Sequence, residues 1–394
     1  RWGRRHNLLM LAGIFFVGAV GTALAPNIAV MVLARIVLGL AVGGASATVP
    51  VYLAEIAPRD LRGRLVAVDA LMIVTGQLLA YTTNAVLANL WAGHSTWRLM
   101  LFVASVPAVA LWVGMHFLPE TARWYASKDR FAEAVQVLCS TRTPVHDIKA
   151  ELADMVALAH QEHHARRGGW ADLKTPWVKH LVLVGVGVAM VQQLTGVNTL
   201  MYYAPTILTT TGLGTNAALT ATIANGVVSV LAATAGLWLV GRMRRRRLLL
   251  VGQLGIVASL GAIALSFGLL IQPSLAAGRT PPASGSYTVL GFMLGFLIFQ
   301  QGAVSPVTWV MLSEIFPMRM RGFGMGVAVF GMWIINAIIS FSFPVLIATV
   351  GGTGTFLVFA VLNVGTLIFS WRAVPETSHL TLEQLEAEFR QPSA

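Results

Sequence analysis

Ten apolar runs, each long enough to cross a bilayer as a helix, constrain this chain more than any other feature. They lie near residues 8–25, 28–53, 66–91, 97–118, 178–208, 216–240, 248–272, 287–313, 322–350 and 353–373. About twenty residues at 1.5 Å rise span the hydrocarbon core. Helices are required, because lipid offers no hydrogen-bond partner to an open strand or loop. Strands of a membrane barrel would turn polar at alternate residues, and these runs do not. With 56% of the 394 residues apolar and 11% charged, the chain also has too few charges to cover a water-soluble surface. Disorder, a disulfide scaffold and a soluble enzyme core are excluded. The single cysteine, Cys139, permits no internal disulfide.

Charge placement orients the spans. Of the 27 Lys and Arg, all but Arg35, Arg98 and Arg279 precede the first run, lie in or at the edge of alternate connections, or lie at or beyond the end of the last run. By the positive-inside rule this puts both ends and the long connection on the cytoplasmic side of a cell membrane. The net charge of +11 therefore reports orientation. Arg244 to Arg247 have the look of a nucleic-acid patch, but they sit directly beyond a span, and no nucleic-acid partner is expected. Residues 1–25 imitate a signal peptide ending at Ala23-Leu24-Ala25, but Pro26 after that point opposes cleavage.

Three patterns occur twice in the same order. Arg1-Trp2-Gly3-Arg4-Arg5 is echoed by Arg242-Met243-Arg244-Arg245-Arg246. Glu55-Ile56-Ala57-Pro58 with Arg62-Gly63 is echoed by Glu314-Ile315-Phe316-Pro317 with Arg321-Gly322. Pro119-Glu120-Thr121 is echoed by Pro375-Glu376-Thr377. The period of about 250 residues implies two related bundles, as in duplicated transporters. The expected domains are a bundle over 1–118, a helical cytoplasmic linker over 119–177, a second bundle over 178–373 and a tail over 374–394. Two spans precede the arginine cluster of the second copy and none precedes that of the first. Taking the second copy as ruler, about 65 residues and two helices are expected upstream of Arg1, making twelve spans of which ten are present.

In their order these motifs resemble the sugar porter family of the major facilitator superfamily, which includes bacterial sugar and inositol symporters and animal glucose facilitators. Arg1-x-Gly3-Arg4-Arg5, Pro50-x-Tyr52-x-x-Glu55, Trp97-Arg98, Pro119-Glu120-Thr121-Ala122-Arg123-Trp124, Gln192-Gln193-x-x-Gly196-x-Asn198, Tyr202-Tyr203 and Pro375-Glu376-Thr377 carry the likeness along essentially the whole chain. The resemblance implies an all-α polytopic fold of two pseudo-symmetric bundles. It implies transport of a monosaccharide or polyol by alternating access, no catalysis and no cofactor.

Glu55 with Arg62, and Glu314 with Arg321, lie where helices leave the membrane. Charge-assisted pairs there would clamp the cytoplasmic side. The resemblance extends this gate to Arg4, Arg5, Glu120, Arg123, Arg242 and Glu376. Gln192, Gln193, Asn198 and Tyr202 follow along one span. Amides both donate and accept, which suits sugar hydroxyls without a charge, although polar residues in spans also glue helices together. Resemblance points to sugar contact for these residues and for Trp309 and Trp333, with Asn336 and Gln77 as further polar candidates. Ala70, Met332 and Ser229 stand where the family usually has amides. An inositol, a deoxy sugar or a weakly held hexose therefore fits as well as glucose.

Arg35 is the one full charge deep in a span, and an unpaired guanidinium there is expensive. In proton-coupled relatives the matching arginine faces an aspartate on the first helix, so the resemblance implies proton symport, with uncoupled facilitation and sugar sensing left open. A sensor would carry a long cytoplasmic extension, and a drug exporter a charged or more aromatic cavity. His160, His163 and His164 stand beside Glu162 and Arg166 and read as a solvated helix face, so no metal is expected. A monomer in the bilayer is the expected state.

Overall fold

The computed structural model describes residues 3–58, 61–91, 93, 95–142, 148–149, 151–153, 155–156, 169–316 and 320–377. Among these residues all regular structure is helical. Among the described residues, nine helices are long and apolar enough to cross a membrane. The ninth, Gly322–Ala373, is broken at Gly351. Its backbone there (φ 70°, ψ −179°) suits glycine alone, so the break yields the two runs expected on either side of it. All ten runs are thus helical.

Two compact units divide the chain. The first contains α1 (Arg4–Ala23), α2 (Ile28–Ile56), both ends of α3 (Arg62–Leu90), α4 (Thr96–Val103), α5 (Ser105–Phe117), α6 (Ala122–Ala126) and α7 (Phe131–Thr141). Here α1 packs against α2, α4 and α5. The approach to α2 is close: a Cβ on Gly18 would lie 2.8 Å from Leu38 Cγ. Asn7 Nδ2 donates to Thr48 Oγ1 at 2.8 Å across the same pair. Asn27 caps α2 by accepting from Val30 N at 3.0 Å. The α4–α5 break falls where Pro107 lacks the N–H that would bond Val103 O.

The second unit takes residues 74–85 of α3 and the chain from Arg166 onward. Its helices are α8 (Pro176–Leu194), α9 (Val197–Tyr202), α10 (Ala204–Thr210), α11 (Thr215–Val240), α12 (Arg245–Ser266), α13 (Gln272–Ala276), α14 (Ala283–Phe299), α15 (Ser305–Ile315) and α16 (Arg321–Ala373). One core runs through it, built on residues such as Leu181, Val188, Leu260, Val304, Met311 and Phe356. Two π-helical turns, Phe267–Ile271 and Gln300–Val304, each lie two residues before a proline, Pro273 and Pro306. The wider turn absorbs the lost hydrogen bond without ending the helix. The carbonyl that Pro306 cannot bond, Gly302 O, faces Gly236, where a Cβ would lie 2.6 Å from it.

Helix ends follow the repeated motifs. Ala57, Leu118, Phe316 and Val374 each precede a proline and each is extended (ψ 139°, 142°, 121° and 118°). Proline disfavours the helical region in the residue before it, so both copies stop their helices by the same device. Several helices outrun the apolar stretches: α1 starts at Arg4 rather than near 8, and α12 at Arg245 rather than 248. The arginines are first-turn residues, held by the carboxylates described below. Of the linker, α6, α7, residues 148–149, 151–153 and 155–156, and a 3-10 turn at Trp170–Lys174 are helical. His160, His163, His164 and the tail from 378 lie outside the described residues.

Candidate substrate site and charge clamps

The long α8 segment breaks at Gly196, whose φ of +79° is left-handed and open to glycine at no steric cost. The break brings Gln193 and Asn198 together: Asn198 Nδ2 donates to Gln193 Oε1 at 2.9 Å and to Asn336 Oδ1 of α16 at 2.9 Å. Among the described residues Gln193 Nε2, Asn198 Oδ1 and Asn336 Nδ2 have no protein partner. The trio therefore offers both donors and acceptors, all uncharged.

Gln192 turns the other way, its Nε2 donating to Ser305 Oγ at 3.0 Å. Its backbone oxygen accepts from Thr195 Oγ1 at 2.7 Å and Gln300 Nε2 at 3.4 Å. Asn363 Nδ2 donates to Leu194 O at 3.1 Å and Phe359 O at 2.8 Å. Gln300 and Asn363 thus satisfy carbonyls that the broken end of α8 leaves open. The side-chain oxygens of Gln192, Gln300 and Asn363 accept no hydrogen bond among the described residues, although they are buried.

Gln77, on the part of α3 that packs in this unit, donates to Met201 Sδ at 3.7 Å, and Tyr81 OH donates to Met201 O at 3.4 Å. Tyr202, Trp309 and Trp333 are exposed. Met332 and Ser229 are buried, and Ala70 is exposed on α3. The structure therefore joins Gln193, Asn198 and Asn336 directly and links Gln192 to a separate set. Ser305, Gln300, Asn363 and Tyr81 were not singled out from sequence. Each is a polar residue in an apolar run, a signal that marks many residues and so selects few.

The repeated motifs build two charge clamps, one in each unit. In the first, Glu120 accepts from Arg5 N at the start of α1, at 3.2 and 3.0 Å. Arg4 Nη2 meets Glu55 Oε1 at 2.9 Å, and Thr121 Oγ1 donates to Glu55 Oε2 at 2.7 Å. The Arg5 side chain donates to Met115 O at 2.8 Å and His116 O at 3.1 Å. In the second, Glu376 accepts from Arg245 N at 3.0 Å and Arg246 N at 3.3 Å. Arg245 Nη2 meets Glu314 Oε1 at 3.4 Å, Thr377 Oγ1 donates to Glu314 Oε2 at 2.5 Å, and the Arg246 side chain donates to Trp371 O.

The two clamps correspond residue for residue: Arg4 with Arg245, Arg5 with Arg246, Glu55 with Glu314, Glu120 with Glu376, Thr121 with Thr377. A carboxylate at a helix N-terminus meets the positive end of the helix dipole and its open N–H groups. Arg242 stands apart, its guanidinium 4.1 Å from the Trp238 ring centroid. Arg245 takes the inward position, and the spacing of the two arginine clusters was the signal for it. Arg123 is half-buried on α6. Arg62 and Arg321 begin α3 and α16, and their side chains lie outside the described residues. Arg35 is exposed on α2 with no ion pair or hydrogen bond to its side chain among the described residues.

A family model described as "Sugar (and other) transporter" matches residues 1–389. The major myo-inositol transporter IolT of Bacillus subtilis is 48% identical over 389 residues, which cover 98% of this chain and 80% of that protein. The galactose-proton symporter of Escherichia coli is 35% identical, covering 98% and 80%. Among solved structures, the inward open conformation of the xylose transporter XylE from E. coli superposes with a TM-score of 0.81 at 26% identity, covering 98% of this chain and 82% of that one. The chain belongs to the sugar transporter family of the major facilitator superfamily. It is a multi-pass membrane protein and a transporter, not an enzyme.

Proposed function

We propose that this chain carries a cyclic polyol or a monosaccharide across the cell membrane in symport with a proton, by alternating access. The working units are a bundle over 1–118 and a bundle over 178–373, linked by 119–177 and followed by the tail 374–394. Both termini face the cytoplasm, as the distribution of Lys and Arg supports. The protein works as a monomer.

The observation that carries this reading is the uncharged trio Gln193, Asn198 and Asn336, held together at the break in a membrane-length helix. Amides left open in a span are costly unless something polar meets them. The ring hydroxyls of a polyol supply matching donors and acceptors, and Trp309 and Trp333 supply flat apolar faces for its C–H groups. The 48% identity to a myo-inositol transporter supports a cyclic polyol ahead of an aldose. Proton coupling rests on Arg35, a full charge on a spanning helix, and on the 35% identity to a galactose-proton symporter. The two clamps form the cytoplasmic gate.

Uptake of labelled myo-inositol into proteoliposomes, with and without an inward proton gradient, tests the reading. Saturable uptake accelerated by the gradient is expected, and Gln193→Ala should abolish it while membrane insertion stays normal. Unchanged transport in that variant would remove the site assignment. Uptake indifferent to the gradient would remove the proton.

A further inference from the structure

The second clamp uses two arginines of a cluster that holds five. Arg245 and Arg246 turn inward to Glu314, Glu376 and Trp371 O. Arg242, Arg244 and Arg247 are exposed, and none of their side chains has an ion pair or hydrogen bond among the described residues. In the first unit the residues corresponding to Arg244 and Arg247 are Gly3 and His6. The second cluster has thus added cations, while its clamp, like the first, rests on two glutamates, Glu314 and Glu376. From Asp172 to Glu314 the sequence contains no acidic residue at all.

The surroundings of these three arginines say where they stand. They join α11 to α12, two membrane-length helices. Trp238 near the end of α11 is 56% exposed, and Trp371 near the end of α16 is 61% exposed. Indole rings at the ends of apolar helices lie at headgroup depth. Arg242 stacks on the Trp238 face, which holds the guanidinium and leaves its in-plane N–H groups open for a planar fork. Arg244 is the N-cap residue of α12, and Arg247 lies three residues on in its first turn. Two N-terminal N–H groups of α12, those of Arg245 and Arg246, are already taken by Glu376, so the anion this cluster calls for is met by side chains.

We propose that Arg242, Arg244 and Arg247, with Trp238 and Trp371, form a binding site for the phosphodiester headgroup of an anionic phospholipid. Guanidinium forks match phosphate oxygens in pairs, the tryptophans pack on the glycerol and upper acyl region, and the position at the membrane boundary brings the ligand from the bilayer.

The test is native mass spectrometry of the detergent-purified chain with equimolar phosphatidylglycerol and phosphatidylcholine. Preferential retention of phosphatidylglycerol, about tenfold or more and declining as salt is raised, is the expected result. The triple variant Arg242→Gln, Arg244→Gln, Arg247→Gln should lose the preference. Each basic side chain near an anionic surface strengthens binding roughly fivefold, so losing three removes on the order of a hundredfold. The triple Lys variant keeps the charge without the fork and should retain part of the preference. Thermal unfolding and monodisperse elution establish that each variant is folded; should the Gln variant fail these, Trp238→Leu replaces it with a smaller expected loss. Equal retention of the two lipids, or an unchanged preference in the folded variant, overturns the proposal. Full displacement of phosphatidylglycerol by millimolar glycerol phosphate overturns the lipid assignment in favour of a soluble phosphate.

Discussion

Arg142 has a side chain only 1% exposed that ties three pieces of the first unit together. Its Nε and Nη2 grip both oxygens of Glu151 at 2.9 and 2.7 Å, and its Nη1 donates to Ile56 O at 2.7 Å, next to Glu55 of the first clamp. A cation at a helix C-terminus fills an open carbonyl and meets the negative end of the dipole. The linker thereby holds the last turn of α2. Removing one partner of a buried pair is far worse than replacing both. Arg142→Met should therefore destabilise the protein by about 3 kcal/mol, and the double change with Glu151→Leu should recover most of it. Melting curves in detergent decide this; an unchanged midpoint in Arg142→Met would refute the role. Residues of this kind were hard to foresee. Arg142 and Glu151 sit in a polar loop among other charges, and the partners of Gln192, Asn363 and Gln300 lie 113, 169 and 108 residues away in sequence. Periodicity and composition carry no information over such separations.

The break at Gly196 does at the level of a helix what no single amide does alone. It turns the chain so that residues five apart, Gln193 and Asn198, hydrogen bond side chain to side chain. A Cβ there would lie 3.0 Å from the Phe359 ring, with φ at +79°. Gly196→Ala should cost about 1–2 kcal/mol from the left-handed backbone. Uptake should fall at least tenfold with normal membrane insertion, measured in the same proteoliposomes; wild-type uptake would show that the break does not position the site. Helix ends were the legible part of the elements, because Pro58, Pro119 and Pro375 dictate an extended residue before them through local sterics. The π-helical turns were not legible. A proline inside an apolar run reads as a kink or an end, and only packing, such as Gly236 against Gly302 O, selects the wider turn.

Two clamps built from corresponding residues raise a question for the whole molecule, which is whether they act as one device. They share no side chain, so their contributions to stability should add within about 0.5 kcal/mol. The first has the shorter ion pair, 2.9 Å against 3.4 Å, and the less exposed glutamate, 8% against 30%. Glu55→Gln should therefore lower the melting midpoint more than Glu314→Gln, and the double variant should show the sum. A double variant no worse than Glu55→Gln alone would mean that the second clamp adds nothing to stability. The duplicated plan behind this was open to reading from three short repeats, whereas the partner of each arginine depended on which one turns inward. A further experiment addresses coupling: Arg35→Gln should retain counterflow exchange of labelled substrate and lose accumulation driven by a proton gradient. Loss of both would make Arg35 a structural residue.

The Gln193, Asn198 and Asn336 trio contains no ionisable group. A membrane potential does work of about 2.3 kcal/mol per 100 mV on an elementary charge carried fully across, and none on the net charge of a neutral cluster holding a neutral polyol. On the proposed assignment, voltage therefore reaches the cycle through Arg35 and the proton. The electrical current drawn by the transporter would count protons, with the cargo itself silent to the voltmeter.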